Sequence, residues 1–228
     1  MTGRAPRVSF REAAARCWRG CSLAWLLALW PLPAAALHAA APASDFHTVT
    51  RWAMDEGLPH NLVHSVAQGA DGLLWVGTWE GVARFNGRGF TVYDRQNTPG
   101  VELGGVFVVM RDPQGGMLFG TAFDGVYRLY RGRWERIGDR EARHLQVNAL
   151  LRDRAGVLWV GSAQTLYRLG EDGRLVDVGH DAGLPEARVT ALHETDDRAL
   201  MVGTERGLYR IDPGTRRATA WGAARGMA

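Results

Sequence analysis

Beyond residue 55, short runs in which apolar and polar positions alternate recur at a fixed distance. The tripeptide Trp75-Val76-Gly77 returns as Leu118-Phe119-Gly120, Trp159-Val160-Gly161 and Met201-Val202-Gly203, which spaces the glycines by 41 to 43 residues. With those glycines in register, Val63, Val106, Val147 and Val189 share a column. Val66, Val109, Leu150 and Leu192 share the column three residues on, and each glycine is followed by Thr78, Thr121, Ser162 or Thr204. A second run follows in each copy, with Arg84, Arg128, Arg168 and Arg210 flanked by apolar neighbours. Period-two alternation predicts half-buried strands, and self-similarity over about 42 residues predicts a repeat array.

Turn residues fall between these runs. Ala70-Asp71-Gly72 marks one turn of the first copy, and Asn86-Gly87, Arg131-Gly132, Asp172-Gly173 and Pro213-Gly214 mark a later one in all four. The first copy therefore reads as strands Leu62 to Gln68, Leu73 to Thr78, Val82 to Asn86 and Phe90 to Asp94, with no helix expected between residues 57 and 221. A meander of this kind cannot bury both faces alone, but it can when stacked radially against its neighbours. The predicted fold is all-β, a β-propeller with about four four-stranded blades present as an open arc of a larger propeller. The blades are expected at residues 57–99, 100–140, 141–182 and 183–224, with 225–228 opening a truncated fifth repeat. The segment 44–56 is expected to give an outer strand, Phe46 to Thr50, that completes a distant blade. Trp75 and Trp159 are read as core between blades rather than as ligand contacts.

The first 43 residues differ from the rest. Five arginines precede the apolar stretch Leu23 to Trp30, and small residues ending at Ala43 follow it, the layout of a cleaved secretory signal peptide. Cys17 and Cys21, the only cysteines, lie in this leader, so disulfides do not stabilise the exported part. Removing the leader takes the formal charge from +3 to −1, because it holds those five arginines and Glu12. A near-neutral domain makes no electrostatic case for nucleic acid.

Motifs for catalysis are absent from the sequence: no phosphate-binding glycine loop, nucleophile elbow, zinc-type His-Glu-x-x-His or calcium loop occurs. His60 and His64 lie four apart but have no third ligand beside them, so no metal site, cofactor or catalytic residue is assigned. Candidate ligand contacts come from chain tracing. If the first strand of each blade lines the channel, the loop before it and the hairpin between the second and third strands share one face. That face carries His60, Asn61, Trp79, Glu80, Phe123, Asp124, Glu205 and Arg206, with Ala163-Gln164 at the third hairpin and His144 in the His60 column. Variable polar and aromatic residues on a fixed frame suit recognition.

The string Gly57-Leu58-Pro59, Asn61, Val63, Asp71-Gly72, Leu74 to Thr78, Gly81-Val82 and Arg84 resembles the two-component regulator propeller repeat, and the resemblance extends over residues 46 to 228. It departs from that pattern in having Leu118 and Met201 in the tryptophan column. The resemblance implies a periplasmic sensor region, commonly paired propellers with an immunoglobulin-like module. It further implies a transmembrane helix and a histidine kinase or diguanylate cyclase, none of which lies in these residues. A small-molecule or oligosaccharide ligand, anchoring in the inner membrane through a C-terminal part and a homodimeric full-length protein are expected on that basis. The alternatives are a secreted propeller enzyme, such as a lyase or glycosidase, and a protein-binding scaffold.

Overall fold

Each repeat folds into one antiparallel sheet, as period-two runs bounded by tight turns should. The computed structural model describes residues 49–222, and residues 50–222 belong to one compact unit. The first sheet contains β1 (Val63–Gln68), β2 (Leu74–Thr78), β3 (Gly81–Phe85) and β4 (Phe90–Tyr93). The second contains β5 (Val106–Arg111), β6 (Met117–Thr121), β7 (Val126–Tyr130) and β8 (Arg133–Ile137). The third is β9 (Val147–Arg152), β10 (Leu158–Ser162), β11 (Leu166–Leu169) and β12 (Leu175–Asp177). The fourth is β13 (Val189–Glu194), β14 (Leu200–Thr204), β15 (Gly207–Ile211) and β16 (Ala218–Trp221). Strand order follows chain order within every sheet.

The sheets are related through their first strands: β1 lies beside β5, β5 beside β9, and β9 beside β13. Four meanders packed side by side through their inner strands are propeller blades. The core lies between blades, as the apolar columns require. Trp75 and Val82 of blade 1 pack with Val106, Phe119 and Tyr127 of blade 2. Val126 packs with Val147 and Val160 across the next junction, and Leu166 with Val189 and Val202 across the last. The Trp75 ring stacks on Tyr93 at 5.5 Å and meets the edge of Phe119 at the same distance, so its expected packing role holds. Trp159 is half-buried against the junction of blades 3 and 4.

The repeated glycine has a packing cause. A Cβ on Gly161 would come within 2.5 Å of Val189 Cγ1, and one on Gly120 equally close to Val147 Cγ1, so the missing side chain lets each blade seat against the next. Blade 1 has the same valine columns, but Val63, Val66 and Leu74 are exposed on it. This is the open end of the arc.

Three features differ from expectation. Strand ends in blade 1 shift by up to a residue, a consequence of where the ladder bonds start. Two single helical turns occur where none was expected, a 3-10 turn at Glu141–His144 and an α turn at Gly179–Ala182. Both lie in connections between blades, where the chain must return from an outer strand to the next inner one. Of the expected outer strand Phe46 to Thr50, only Val49 and Thr50 are described, and neither is in a strand. The leader and residues 225–228 lie outside the described residues.

Candidate functional site

Every blade breaks register at the same point between its first two strands. Val63 pairs with Thr78 and Ser65 with Gly77, leaving His64 as an extra residue. The same break sets apart Phe107, Asn148 and Thr190 in the other blades. A bulge of this kind re-aims one side chain while the ladder continues on both sides of it. In blades 1 and 2 the re-aimed residues are aromatic.

They meet the hairpin tips. The rings of His64 and Phe107 are 4.7 Å apart, edge to face. Trp79, at the tip between β2 and β3, is 6.0 Å from His64, 5.9 Å from Phe107 and 6.2 Å from Phe123, which occupies the corresponding tip of blade 2. Trp79 is 39% and Phe123 64% exposed, so the four rings present an aromatic surface to solvent. Gly105 holds the tips together: its N–H donates to the Trp79 carbonyl and its own carbonyl accepts from the Ala122 N–H. Only 2.8 Å separates a Gly105 Cβ from the Ala122 methyl, and its φ is +64°, so this stitch requires glycine.

Electrostatics on the patch are set by histidine. Partial burial, and after it the charge of His60, holds the His64 imidazole below its ordinary pKa, so the neutral ring is favoured. In blade 3 the bulge residue is Asn148, whose Oδ1 accepts from Gln146 Nε2 at 3.1 Å while its buried Nδ2 has no partner.

The residues singled out from the sequence fall into three groups. Trp79 and Phe123 meet each other edge to face, and Trp79 also meets Phe107. His60, Asn61 and Asp124 turn to structural work. His60 Nδ1 accepts the Leu62 N–H, and Asn61 Oδ1 accepts the Met54 N–H at 3.0 Å, so both brace the entry loop. Asp124 accepts hydrogen bonds from the Tyr127 hydroxyl and from both terminal nitrogens of Arg136. Burial, reinforced by Asp124, pushes the Tyr127 phenol above its usual pKa. Glu80, Glu205 and Arg206 remain exposed, with Glu205 3.4 Å from Arg188. Among the described residues no ring contact, hydrogen bond or ion pair joins Glu205 or Arg206 to the aromatic patch. His144 closes the helical turn Glu141–His144. Sequence reasoning missed Phe107 and the aromatic role of His64. The available signal was that both sit directly after the first valine of their copies, where Asn148 and Thr190 stand in the others.

Residues 57–80 and 143–164 match the family model described as the two component regulator propeller. Two of the four repeats thus match the two-component regulator propeller repeat. The two matched copies are those with tryptophan in the repeated tripeptide, which Leu118 and Met201 replace elsewhere. No curated protein matches the chain. Among solved structures, similarity extends to the extracellular domain of a protein described as the hybrid two component system BT3049 from B. thetaiotaomicron. The TM-score is 0.64 at 20% identity, over 75% of this chain and 26% of that one. The extracellular domain described as that of the one component system BT4673 from the same organism gives 0.61 at 20% identity, over 76% and 23% of the two chains. Virginiamycin B lyase from Staphylococcus aureus gives 0.54 at 14% identity, over 72% and 57%. At these identities the likeness is one of fold. The chain spans about a quarter of the length of the first two structures.

Proposed function

We propose that these repeats form the periplasmic ligand-sensing region of a membrane-bound signalling protein, whose output is a histidine kinase or a diguanylate cyclase. The observation that carries this reading is the exposed aromatic patch of His64, Trp79, Phe107 and Phe123, built by two bulges and two hairpin tips of family repeats. Flat rings on a rigid frame offer contact area at little entropic cost, and they match the apolar faces of a neutral oligosaccharide or a comparably flat small molecule. The extracellular placement of the BT3049 and BT4673 domains supports an exported sensor. Occupancy of the patch would change how blades 1 and 2 sit against each other, since Gly105 ties both tips, and a bound-state preference of that kind is what a membrane segment could relay. Binding of the chain to a membrane is expected only through that segment; among the described residues no helix is long and apolar enough to cross one.

An alternative is an exported enzyme, favoured by the fold likeness to virginiamycin B lyase. Catalysis by elimination needs a base and an acid converging on the substrate. In the patch, His64 is the titratable ring and its three neighbours are carbon faces and an indole. Tryptophan fluorescence of the exported chain, titrated with a panel of neutral oligosaccharides, tests the sensor reading. Saturable quenching that disappears in the Trp79→Ala, Phe123→Ala variant, and persists when Asp71 and Arg154 on the opposite turns are changed to Ala, is the expected result. Quenching lost only in the second variant would move recognition to the other face, and turnover of any member of the panel would favour the enzyme.

A further inference from the structure

The arginine column has one member without a partner. Arg84 pairs with Asp71 at 2.5 Å and Arg210 with Asp197 at 2.6 Å, each reaching the acid in the turn between the first two strands of its own blade. Arg128 reaches Asp112 and Glu135 instead. In blade 3 the turn position corresponding to Asp71 and Asp197 is Ala155. The Arg168 side chain accordingly has no hydrogen bond or ion pair among the described residues, and its Nε is buried with no partner. A guanidinium so placed has given up part of its hydration without compensation.

Arg168 also lines a cleft of about 770 Å³ between blades 3 and 4. Trp159 and Val176, the cross-strand partners of Arg168, continue its wall with apolar surface, and Leu200 and Ile211 of blade 4 also line the cleft. Most carboxylates that reach the cleft are already engaged. Asp153 accepts from Trp159 Nε1 at 2.8 Å and from the Val157 N–H, Glu194 accepts from the Arg154 N–H, and Asp212 accepts from the N–H groups of Gly214 and Thr215. Asp181 stands at the exposed rim. The volume lies within the range of small-molecule sites, which combine apolar walls with a few polar anchors.

We infer that the cleft between blades 3 and 4 is a second binding site, for a small organic acid with one carboxylate on an apolar body. The carboxylate takes the place that Asp71 and Asp197 fill in the neighbouring repeats, forming a paired hydrogen bond with Arg168. The apolar body lies along Trp159 and Ile211. Replacement of the turn acid by Ala155 frees the arginine without removing the pocket that surrounds it. This site is separate from the aromatic patch and uses none of its residues.

Calorimetric titration of the full chain with benzoate, 3-phenylpropanoate and decanoate, each alongside its neutral amide, tests the inference. At least one acid should bind, about tenfold or more tightly than its amide, since a charge-assisted pair is lost with the amide. Ala155→Asp should abolish that binding by supplying Arg168 with the partner that blades 1 and 4 already have, and Arg168→Gln should weaken it about tenfold or more. Both variants should keep the far-UV dichroism of the parent, and the Trp79→Ala, Phe123→Ala variant should bind the acid unchanged. Failure of all three acids to bind, equal affinity for acid and amide, or undiminished binding by Ala155→Asp would each overturn the proposal. None of those outcomes bears on the oligosaccharide titration of the patch.

Discussion

Asp112 is a carboxylate with two arginines on it. It is buried, and it accepts from Arg152 Nε at 2.6 Å and Nη2 at 3.0 Å while Arg128 Nε lies 3.3 Å away. Arg152 belongs to blade 3 and Arg128 to blade 2, so one side chain ties two blades through charge. Removing a buried partner strands the opposite charge, which typically costs about 3–5 kcal/mol. Asp112→Ala should therefore destabilise the chain by about 3 kcal/mol in urea unfolding, with Arg152 the more affected residue because it is the more deeply buried. Little in the local pattern warns of this. Asp112 lies in the turn region of its copy, where solvated acids are the rule, and only the neighbouring blade makes it a buried anion. Asp124 carries the same lesson at the candidate site: a hairpin-tip acid looked available for a ligand, yet Arg136 on the adjacent outer strand and Tyr127 consume its oxygens. Side-chain partners one strand away in space are nine or twelve residues away in the chain, beyond any local pattern.

The elements were much more legible than their contacts. Period-two alternation, turn glycines and a regular spacing define all four meanders, because these signals are local and each strand expresses its own. Bulges were not legible. A bulge adds a residue without altering the apolar columns on either side, so His64 and Phe107 look like ordinary exposed strand positions until the ladder is seen to skip them. The glycine column is the converse case, plain in sequence and explained only by the junction it serves. Gly161 faces Val189 of the next blade at a distance that leaves no room for a methyl group, whereas the nearest atom to a Cβ on Gly203 is the Ala191 Cβ of its own blade at 3.4 Å. Gly161→Ala should cost about 1–3 kcal/mol through overpacking. Gly203→Ala should change stability by less than about 0.5 kcal/mol. Urea midpoints of the two variants measure this, and equal losses would mean that the column is set by strand geometry instead of by the neighbouring blade.

At the scale of the whole molecule, the same columns are core in three blades and surface in one. Val106, Val147 and Val189 are 0%, 0% and 1% exposed, whereas Val63 in blade 1 is 42% exposed. Val66 is 56% exposed against 5% for Val109, and Leu74 is 38% exposed against 4% for Met117. The apolar pattern could not distinguish them, since burial of a blade face is decided by whichever sheet stands against it and not by the residues of that face. Contiguous apolar surface of this kind promotes association. Two substitutions in one repeat column should therefore behave oppositely. Val66→Glu places a charge in water and should shift stability by less than about 0.5 kcal/mol, while Val109→Glu buries an unpaired carboxylate between blades 1 and 2 and should cost more than about 4 kcal/mol. Sedimentation velocity adds a second readout: the parent chain should associate as its concentration rises, and Val66→Glu should suppress that association with the monomer still folded by far-UV dichroism. If Val66→Glu proves as destabilising as Val109→Glu, the leading face of blade 1 is covered in solution and the arc is closed there.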